Sequence, residues 1–550
     1  MILKLFCEKL KDKIIFLYKD IPSEKIEILI NTDQKKIGFG DLSTNAPMII
    51  AKSKKKNPFF IAEELRRDLC FEEILKIEIG GGGFLNFFFT DSFFQKSLRI
   101  FQDEKSFYTK KNYPKDCYNI EYVSANPTGP LHIGHGRGAI IGDILAKVFK
   151  LKGYSVIREF YINDAGSQIE KLGLSVCAAY KNLCGQETVI PEDGYHGYYI
   201  KEIAEKIFLE YEDTLCDKEI GFFSAYAEKL LLENIKNTLS EYQVIFDSWF
   251  SEKNLHKGLM IDRAIQLLDE KGFILKTEDG ALWFKSTLFG DEKDRVLKKK
   301  TGEWTYTAAD IAYFLNKIDR GFTKIIMVLG QDHHSFKIRL EAIAKAFSFN
   351  VSNLEIILYQ LVTLKNEGEL FRMSKRKGNS VELGAVIDTV GSDVARFFYL
   401  NKKADAHLEF DIKEALEKNV NNPVFYIQYA LVRIKSIFQK AGLFIDLNIL
   451  QDDIESQNLF LFSDIEKLLL KQIGSLDNTL DKILIYYSPH LITYFTLELV
   501  SLFHAWYNSE HIIDQKNLKE MKKKLLILRS VDECLKICVM LLGVQIPDKM

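Results

Sequence analysis

The chain has 550 residues, more than one hydrophobic core ordinarily serves, so several domains are expected. With 47% hydrophobic and 27% charged residues it fits a soluble globular protein, and no apolar run approaches the roughly 18 residues that would span a membrane. A formal net charge of −2 means that any nucleic-acid contact must come from local basic patches.

The opening MILKLFCEKLKDK mixes charge into its apolar positions and does not read as a secretory signal, so a cytoplasmic location is expected. Residues 1–110 alternate helix-like and strand-like segments, which predicts an N-terminal α+β domain. Its IEIGGGGFLNFFFT (77–90) suggests a phosphate cradle, but no Gly-Lys-Ser/Thr follows, and a tight turn between strands is the better reading. Residues 111–404 carry the strand-like runs NIEYVS, SVIREFYI, KIIMVLG and LEIILYQLVTL between helices, the pattern of a parallel α/β sheet. A helical insertion interrupts them at about 166–284. After 405 the strands vanish, and 405–550 read as an all-α bundle of amphipathic helices. The basic runs KSKKK (52–56), RVLKKK (295–300) and KKK (522–524) are candidates for RNA contact, although such runs are more often solvated faces. The eight cysteines include no Cys-x-x-Cys pair, which argues against a zinc site, a redox dithiol or a disulfide framework. Cys534 and Cys538 read as buried thiols on a core-facing helix.

Two stretches carry chemistry. ANPTGPLHIGHGRGAIIGD (125–143) packs five glycines, two prolines and two histidines between a strand and a helix. A Gly-rich turn into a helix start binds phosphate through free backbone N–H groups. GHGRGA (134–139) also matches the dinucleotide fingerprint, with Glu159 near the end of the next strand, so a hydride-transfer enzyme is a rival reading. His132 and His135, three apart at the helix start, can both reach a phosphate and donate to charge developing at phosphorus. The plain alternative is a pair of surface histidines near a turn. The second stretch, FRMSKRKGNS (371–380), is a basic loop whose Lys375 and Lys377 flank Arg376, suited to a departing pyrophosphate.

HIGH (132–135) and MSK (373–375), in this order on a parallel sheet, resemble the two signatures of class I aminoacyl-tRNA synthetases. The segments EYVSANPTGPLHIGHGRGAIIGD (121–143), REFYINDAGSQI (158–169), FGDEKDRVLKKKTGEWTYTAADIAY (289–313), VLGQDHHSF (328–336) and MSKRKGNSVEL (373–383) are similar to the arginyl-tRNA synthetases. So are FGDLSTNAPMIIAK (39–52), NPVFYIQYALVRI (422–434) and the terminal LLGVQIPDKM (541–550), and the likeness covers essentially the whole chain.

The resemblance implies a multidomain α/β protein. Its parts are an N-terminal tRNA-recognition domain (1–110), a Rossmann-like catalytic domain (111–404) with the helical insertion, and a helical anticodon-binding domain (405–550). It implies a ligase that activates L-arginine with ATP, as its Mg2+ complex, and then charges tRNA(Arg). A monomer is expected, with no membrane partner and no protein-bound zinc. It also implies that activation requires bound tRNA. In the family's pattern His132 and His135 stabilise the α-phosphate and Lys375 holds pyrophosphate, while Gly134, Gly330, Asp332 and Met373 complete the ATP site.

A guanidinium substrate calls for buried carboxylates in a planar hydrogen-bonding arrangement. By the same resemblance, Glu121 and Asp310 take the guanidinium beside Tyr306, and Asn126 takes the α-amino end. Ser124, His135 and Gln331 complete the arginine site, Gln331 standing where many relatives read alanine. Tyr306 and Asp310 are four apart and share a face if the segment is helical, although Asp310 also reads as a helix-end carboxylate. His333 and His334 are expected to wall the nucleotide rather than to bind metal. The loop opens with Arg372 rather than the usual lysine, but Lys375 is retained, which opposes a catalytically silent tRNA-binding relative.

Overall fold

The computed structural model describes residues 2–19, 21–103, 106–110, 116–331, 334–366, 369–370, 381–444 and 460–550. Asp332, His333, Met373 and Lys375 lie outside the described residues, as does the rest of the basic loop 371–380. The chain divides into two units, Lys111–Glu417 and Met1–Lys110 with Lys418–Met550.

The unit at 111–417 is built on five parallel strands: β1 (Cys117–Tyr122), β2 (Ser155–Ile162), β3 (Ser248–Ser251), β4 (Lys324–Gly330) and β5 (Leu354–Tyr359). Their order across the sheet is β5-β4-β1-β2-β3, and every neighbouring pair is parallel. The chain therefore winds outward from β1 in one direction and from β4 in the other. The order reverses between β1 and β4, which opens a crevice beyond their carboxyl ends. The helices that matter here are α1 (Ile133–Leu151), α2 (Ser167–Leu183), α3 (Tyr198–Tyr211), α4 (Ile220–Glu241), α5 (Tyr306–Asp319) and α6 (His334–Ala346). The continuous run Ile325, Ile326, Met327 and Val328 is buried, as a strand covered on both faces requires.

Three sequence expectations need correction. The insertion expected to be helical over 166–284 contains β3, a fifth strand of the main sheet, whose four half-buried residues SWFS carry no usable periodicity. It also supplies two strands, Ile274–Lys276 and Leu282–Phe284, to a small antiparallel sheet with Arg295–Lys298. The run LEIILYQLVTL is not one strand: it breaks after Tyr359, and Val362–Asn366 pairs in parallel with Leu408–Asp411. That partner lies beyond 405, where only helices were expected. Its pairing is tertiary, and a four-residue strand leaves no mark of it in the sequence.

Helix α1 lies unusually close to the sheet. A Cβ built on Gly142 would fall 2.2 Å from Tyr122 Cγ, so the buried Tyr122 ring occupies the space a side chain would need. Arg137, on the same helix and fully buried, donates from Nη1 to the carbonyls of Gln360 (2.9 Å) and Ala406 (2.8 Å) and from Nη2 to that of Lys403 (2.8 Å). One guanidinium thus ties α1 to the backbone where the run LEIILYQLVTL breaks.

In the other unit, the antiparallel sheet runs in the order Ile28–Ile30, Leu42–Thr44, Leu85–Phe89, Ile74–Ile79. The four glycines form the turn between its last two strands, with Gly82 and Gly83 at φ 76° and 94°. The helical bundle of the same unit meets the sheet where Lys471 pairs with Asp41 at 2.9 Å, and it holds the segment after the N-terminal domain's last helix, where Thr109 donates from N and Oγ1 to Asp477, each at 2.8 Å. Lys523 and Lys524 of the basic run 522–524 are buried and ion-paired, so these two lysines form neither a solvated face nor an RNA contact. Cys534 and Cys538 are buried on the last helix. Among the described residues, no helix is long and apolar enough to cross a membrane.

Gly142→Ala tests the close approach. Alanine ordinarily gains up to about 1 kcal/mol over glycine inside a helix. Here it should instead cost about 1–3 kcal/mol through overpacking against Tyr122, read as a lower urea midpoint at unchanged slope.

Candidate active site

The site begins where β1 ends. Val123 and Ser124 take positive φ values of 69° and 41°, and Ser124 N donates to Tyr122 O at 3.0 Å, closing a three-residue turn. Such backbone is costly for residues with side chains and persists only where neighbours hold it. Here they do: Ser124 Oγ donates to Glu121 Oε1 at 3.1 Å and accepts from Tyr161 N at 3.1 Å. Further along, the Tyr199 hydroxyl of α3 donates to the Thr128 carbonyl at 2.7 Å and supports the turn that leads into α1.

His132 is the N-cap of α1. Its Nδ1 accepts from Gly134 N at 3.1 Å, while His135 Nδ1 accepts from His132 N at 3.1 Å. The reciprocal pair is a capping box built from two imidazoles, stacked with ring centroids 3.7 Å apart. Because both Nδ1 atoms accept, each neutral ring carries its proton on Nε2. Burial, with His132 alongside, pushes His135 down to about 3, so this ring is neutral at pH 7. The expected backbone phosphate cradle is corrected at the same point. Ile133 N is taken by Val381 O (2.9 Å), Gly134 N by His132 Nδ1 (3.1 Å) and His135 N by His132 O (2.9 Å). The backbone donors of this helix start are thus engaged inside the protein, and the imidazoles carry their protons on Nε2.

The bond from Ile133 N to Val381 O, with Leu383 N donating to Leu131 O at 2.7 Å, pairs the histidine turn with the segment that follows the basic loop. The C-terminal root of that loop is thus fixed beside His132.

A second cluster lines β1, β2 and α5. Segment 306–319 is helical, and Tyr306, Asp310, Tyr313 and Lys317 recur at the spacing of one face. Asp310 falls beyond the first turn, which holds no acidic residue, so it is not a helix-end carboxylate. The buried Glu121 accepts from Tyr313 Oη at 2.9 Å and pairs with Lys317 Nζ at 2.8 Å, both through Oε2. Lys317 also lies 3.2 Å from Glu159 Oε1 and donates to Asn119 Oδ1. Glu159 further meets Arg320 Nη2 at 2.5 Å and Ser248 Oγ at 2.9 Å. Burial works against its charge, but Lys317, Arg320 and Tyr313 outweigh it and hold the carboxyl down at about 2. Glu159 is therefore fully engaged inside the protein and unavailable to a ribose, which removes the dinucleotide reading.

Asp310 is half-buried and pairs through Oδ2 with Arg339 Nη2 of α6 at 3.0 Å. Burial raises its carboxyl to about 6; Arg339 opposes that rise, while Glu252 and Glu121 add to it. Glu252, directly after β3, is itself raised by burial, against the opposing effects of Tyr161 and of His256 at 3.7 Å. Burial and the carboxylates Glu252, Asp310 and Glu121 hold the Tyr161 phenol far above its ordinary range. Three carboxyl groups on three different elements thus share one neighbourhood.

The remaining expected residues are placed as follows. Asn126 is exposed and donates to Gln168 Oε1 at 2.8 Å. Tyr306 is 58% exposed, with its hydroxyl 3.4 Å from where a Cβ on Gly166 would lie. Gly134 separates the two histidines, Gly330 ends β4 opposite Tyr359, and Gln331 is exposed just beyond it. His334 begins α6. Sequence reading missed Tyr161, Glu252, Tyr313, Lys317, Arg320 and Arg339. For Tyr313 and Lys317 a signal existed: polar groups at helical spacing on an otherwise apolar α5. Among the described residues one carboxylate group converges closely enough to hold a cation, Glu466, Glu510 and Glu520. Lys523 and Lys524 already pair with all of them.

Three family models match the chain. They are "Arginyl tRNA synthetase N terminal domain" over residues 3–89, "tRNA synthetases class I (R), catalytic domain" over 99–434 and "DALR anticodon binding domain" over 427–550. The chain is 36% identical to an arginine–tRNA ligase of Aquifex aeolicus, over 99% of this chain and 100% of that one. It is 40% identical to one of Bacillus licheniformis, over 96% and 95%. Among solved structures, a putative arginyl-tRNA synthetase from Campylobacter jejuni superposes with a TM-score of 0.76 at 33% identity, covering 84% of this chain and all of that one. The Thermus thermophilus arginyl-tRNA synthetase gives 0.76 at 19% identity over the full length of both, a likeness of fold.

The tautomer assignment has a spectroscopic test. The His135 ring is neutral in the folded chain, whereas an unfolded histidine takes its proton near 6.5. This residue therefore favours folding above 6.5 and loses that contribution as pH falls towards 3. With 15N-labelled histidine, His135 should show the Nε2–H pattern and no titration between about pH 5 and 8. A ring that titrates near 6.5 would refute the assignment.

Proposed function

The chain belongs to the arginyl-tRNA synthetase family of class I synthetases, and on that premise we propose which of its residues carry the reaction. It is an arginine–tRNA ligase. L-arginine and ATP give arginyl-adenylate and pyrophosphate, and the arginyl group then passes to the 3′ end of tRNA(Arg).

The observation that carries the reading is the stacked pair of imidazoles at the start of α1, both fixed with Nε2 as donor. The substrate carboxylate attacks the α-phosphorus of ATP, and the bond to pyrophosphate breaks. His132 and His135 donate from Nε2 to the α-phosphate oxygens as negative charge accumulates there. Lys375, on the loop rooted at Val381, neutralises the leaving pyrophosphate, and magnesium arrives with the ATP. Gly134, Gly330, Asp332 and Met373 line the nucleotide. Glu121 and Asp310 accept from the guanidinium beside Tyr306, and Glu252 adds its negative charge to theirs. Ser124 holds Glu121 from below, His135 borders the α-carboxylate, and Asn126 and Gln331 serve the α-amino end.

The N-terminal domain touches the outer corner of the tRNA, and the helices beyond 405 bind the anticodon. Arg433 lies over the rings of Tyr429 (4.3 Å) and Tyr507 (4.4 Å), and aromatic surfaces of this kind stack on splayed bases. The enzyme acts as a cytoplasmic monomer.

Charging assays with total tRNA, ATP and each amino acid in turn should yield product with arginine alone. Asp310→Asn keeps the volume but places an amide NH2 against a guanidinium that has only donors. Arginine KM should rise more than about tenfold, and the preference over neutral citrulline should shrink. An unchanged KM and preference would put the pocket elsewhere.

Pyrophosphate exchange offers a separate check of the family's coupling to tRNA. It should be nearly absent without tRNA(Arg) and appear on its addition; robust exchange without RNA would show that activation here is uncoupled.

A further inference from the structure

We propose that Arg339 is a positioning residue for arginine recognition: it engages one carboxylate oxygen of Asp310, keeps that group ionised and leaves the other oxygen to the substrate guanidinium. The inference rests on the reading of Asp310 as a guanidinium acceptor.

Arg339 Nη2 lies 3.0 Å from Asp310 Oδ2, and each side chain is 23% exposed. The guanidinium is seated over the Phe336 ring, with Cζ 4.7 Å from its centroid. The pair joins α5 to α6, the helices on either side of β4 in the chain, at the edge of the sheet crevice. The contact acts chiefly through charge: Asp310 Oδ2 and Arg339 Nε are both buried and, among the described residues, without a well-aligned hydrogen-bond partner. Arg339 therefore supplies charge to Asp310 without saturating its acceptor capacity. An ionised carboxylate offers about four lone-pair sites, enough for this cation and a second planar donor.

The charge is needed because burial, Glu252 and Glu121 all oppose the ionisation of Asp310. Glu121 faces it from β1, Tyr161 from β2 and Glu252 from the end of β3, with His256 paired to Glu252; α5 itself adds Tyr306 and Tyr313. Of the groups acting on Asp310, burial, Glu252 and Glu121 raise its pKa, and Arg339 lowers it. Arginine is cationic at every working pH and prefers the ionised form. Arginine capture should therefore weaken as pH falls through about 6, and removing Arg339 should move that limb upward.

The test is kcat/KM for arginine from about pH 5.5 to 8.5, with the full chain at saturating ATP and tRNA, for Arg339→Met, Arg339→Lys, Asp310→Asn and the double variant Arg339→Met/Asp310→Asn. Arg339→Met should shift the acid limb up by about one pH unit, an approximately tenfold loss at the acid end that closes towards pH 8.5 and falls on KM more than on kcat. Arg339→Lys keeps the charge and should stay near the parent profile. On the Asp310→Asn background, Arg339→Met should change arginine KM no further. A loss equal at every pH, as a purely structural pair would give, overturns the proposal. So does a lower arginine KM in Arg339→Met, which would make Arg339 a competitor. If Arg339→Met does not fold, Arg339→Gln takes its place in the same series. Should Asp310→Asn leave KM intact, the pocket reading fails. Should it raise KM while the Arg339→Met profile overlays the parent, this inference alone falls.

Discussion

The catalytic unit depends on a buried charge cluster at its centre. Glu121 on β1 and Glu159 on β2 are parallel neighbours in the sheet, two carboxylates side by side in the interior. Left alone they would repel, and each would cost several kcal/mol to desolvate. Lys317 bridges them from α5, and Arg320, just past the end of that helix, takes the far side of Glu159. Two negative and two positive groups then balance. These ion pairs hold α5 against β1 and β2, so the cluster positions the helix that also carries Tyr306 and Asp310.

From that anchor the proposed nucleotide side follows through backbone geometry. Glu121 holds Ser124, Ser124 holds the strained turn, and the turn delivers His132 and His135 to the start of α1. Gly142 lets that helix settle onto Tyr122, and Arg137 ties it to the carbonyls around the later strand break. The rigid half of the site is thus covalently short, running from residue 121 to residue 142. The far half, which follows the basic loop, joins it through the pairing of Val381–Leu383 with Leu131–Ile133.

Much of this was legible in the sequence, and the failures have physical causes. The parallel sheet announced itself because strands buried on both faces are continuous apolar runs. The histidine turn stood out because glycine and proline density marks a tight strand-to-helix connection. β3 and Leu408–Asp411 escaped notice because four residues set no period and their pairing is decided by distant partners. The backbone cradle was misjudged because histidine is a rare N-cap, and sequence rules do not expect an imidazole to consume the N–H groups that would face a phosphate. Lys523 and Lys524 looked solvated because a run of lysines hides which of them meet carboxylates across a bundle.

The proposed guanidinium site draws on the same balance of charges. Among the described residues Glu121 has its cation in Lys317 and Asp310 has Arg339, whereas Glu252 has His256 at 3.7 Å. The group is short of positive charge, and burial raises both Asp310 and Glu252 because ionising them without a further cation is unfavourable. A neutral side chain cannot relieve that shortage. A compact ammonium brings the charge to one point, whereas the planar guanidinium, with five donors, can meet carboxylates on two elements at once. On the proposed reading, selectivity comes from a deficit held open by these ion pairs, with the substrate as the missing cation.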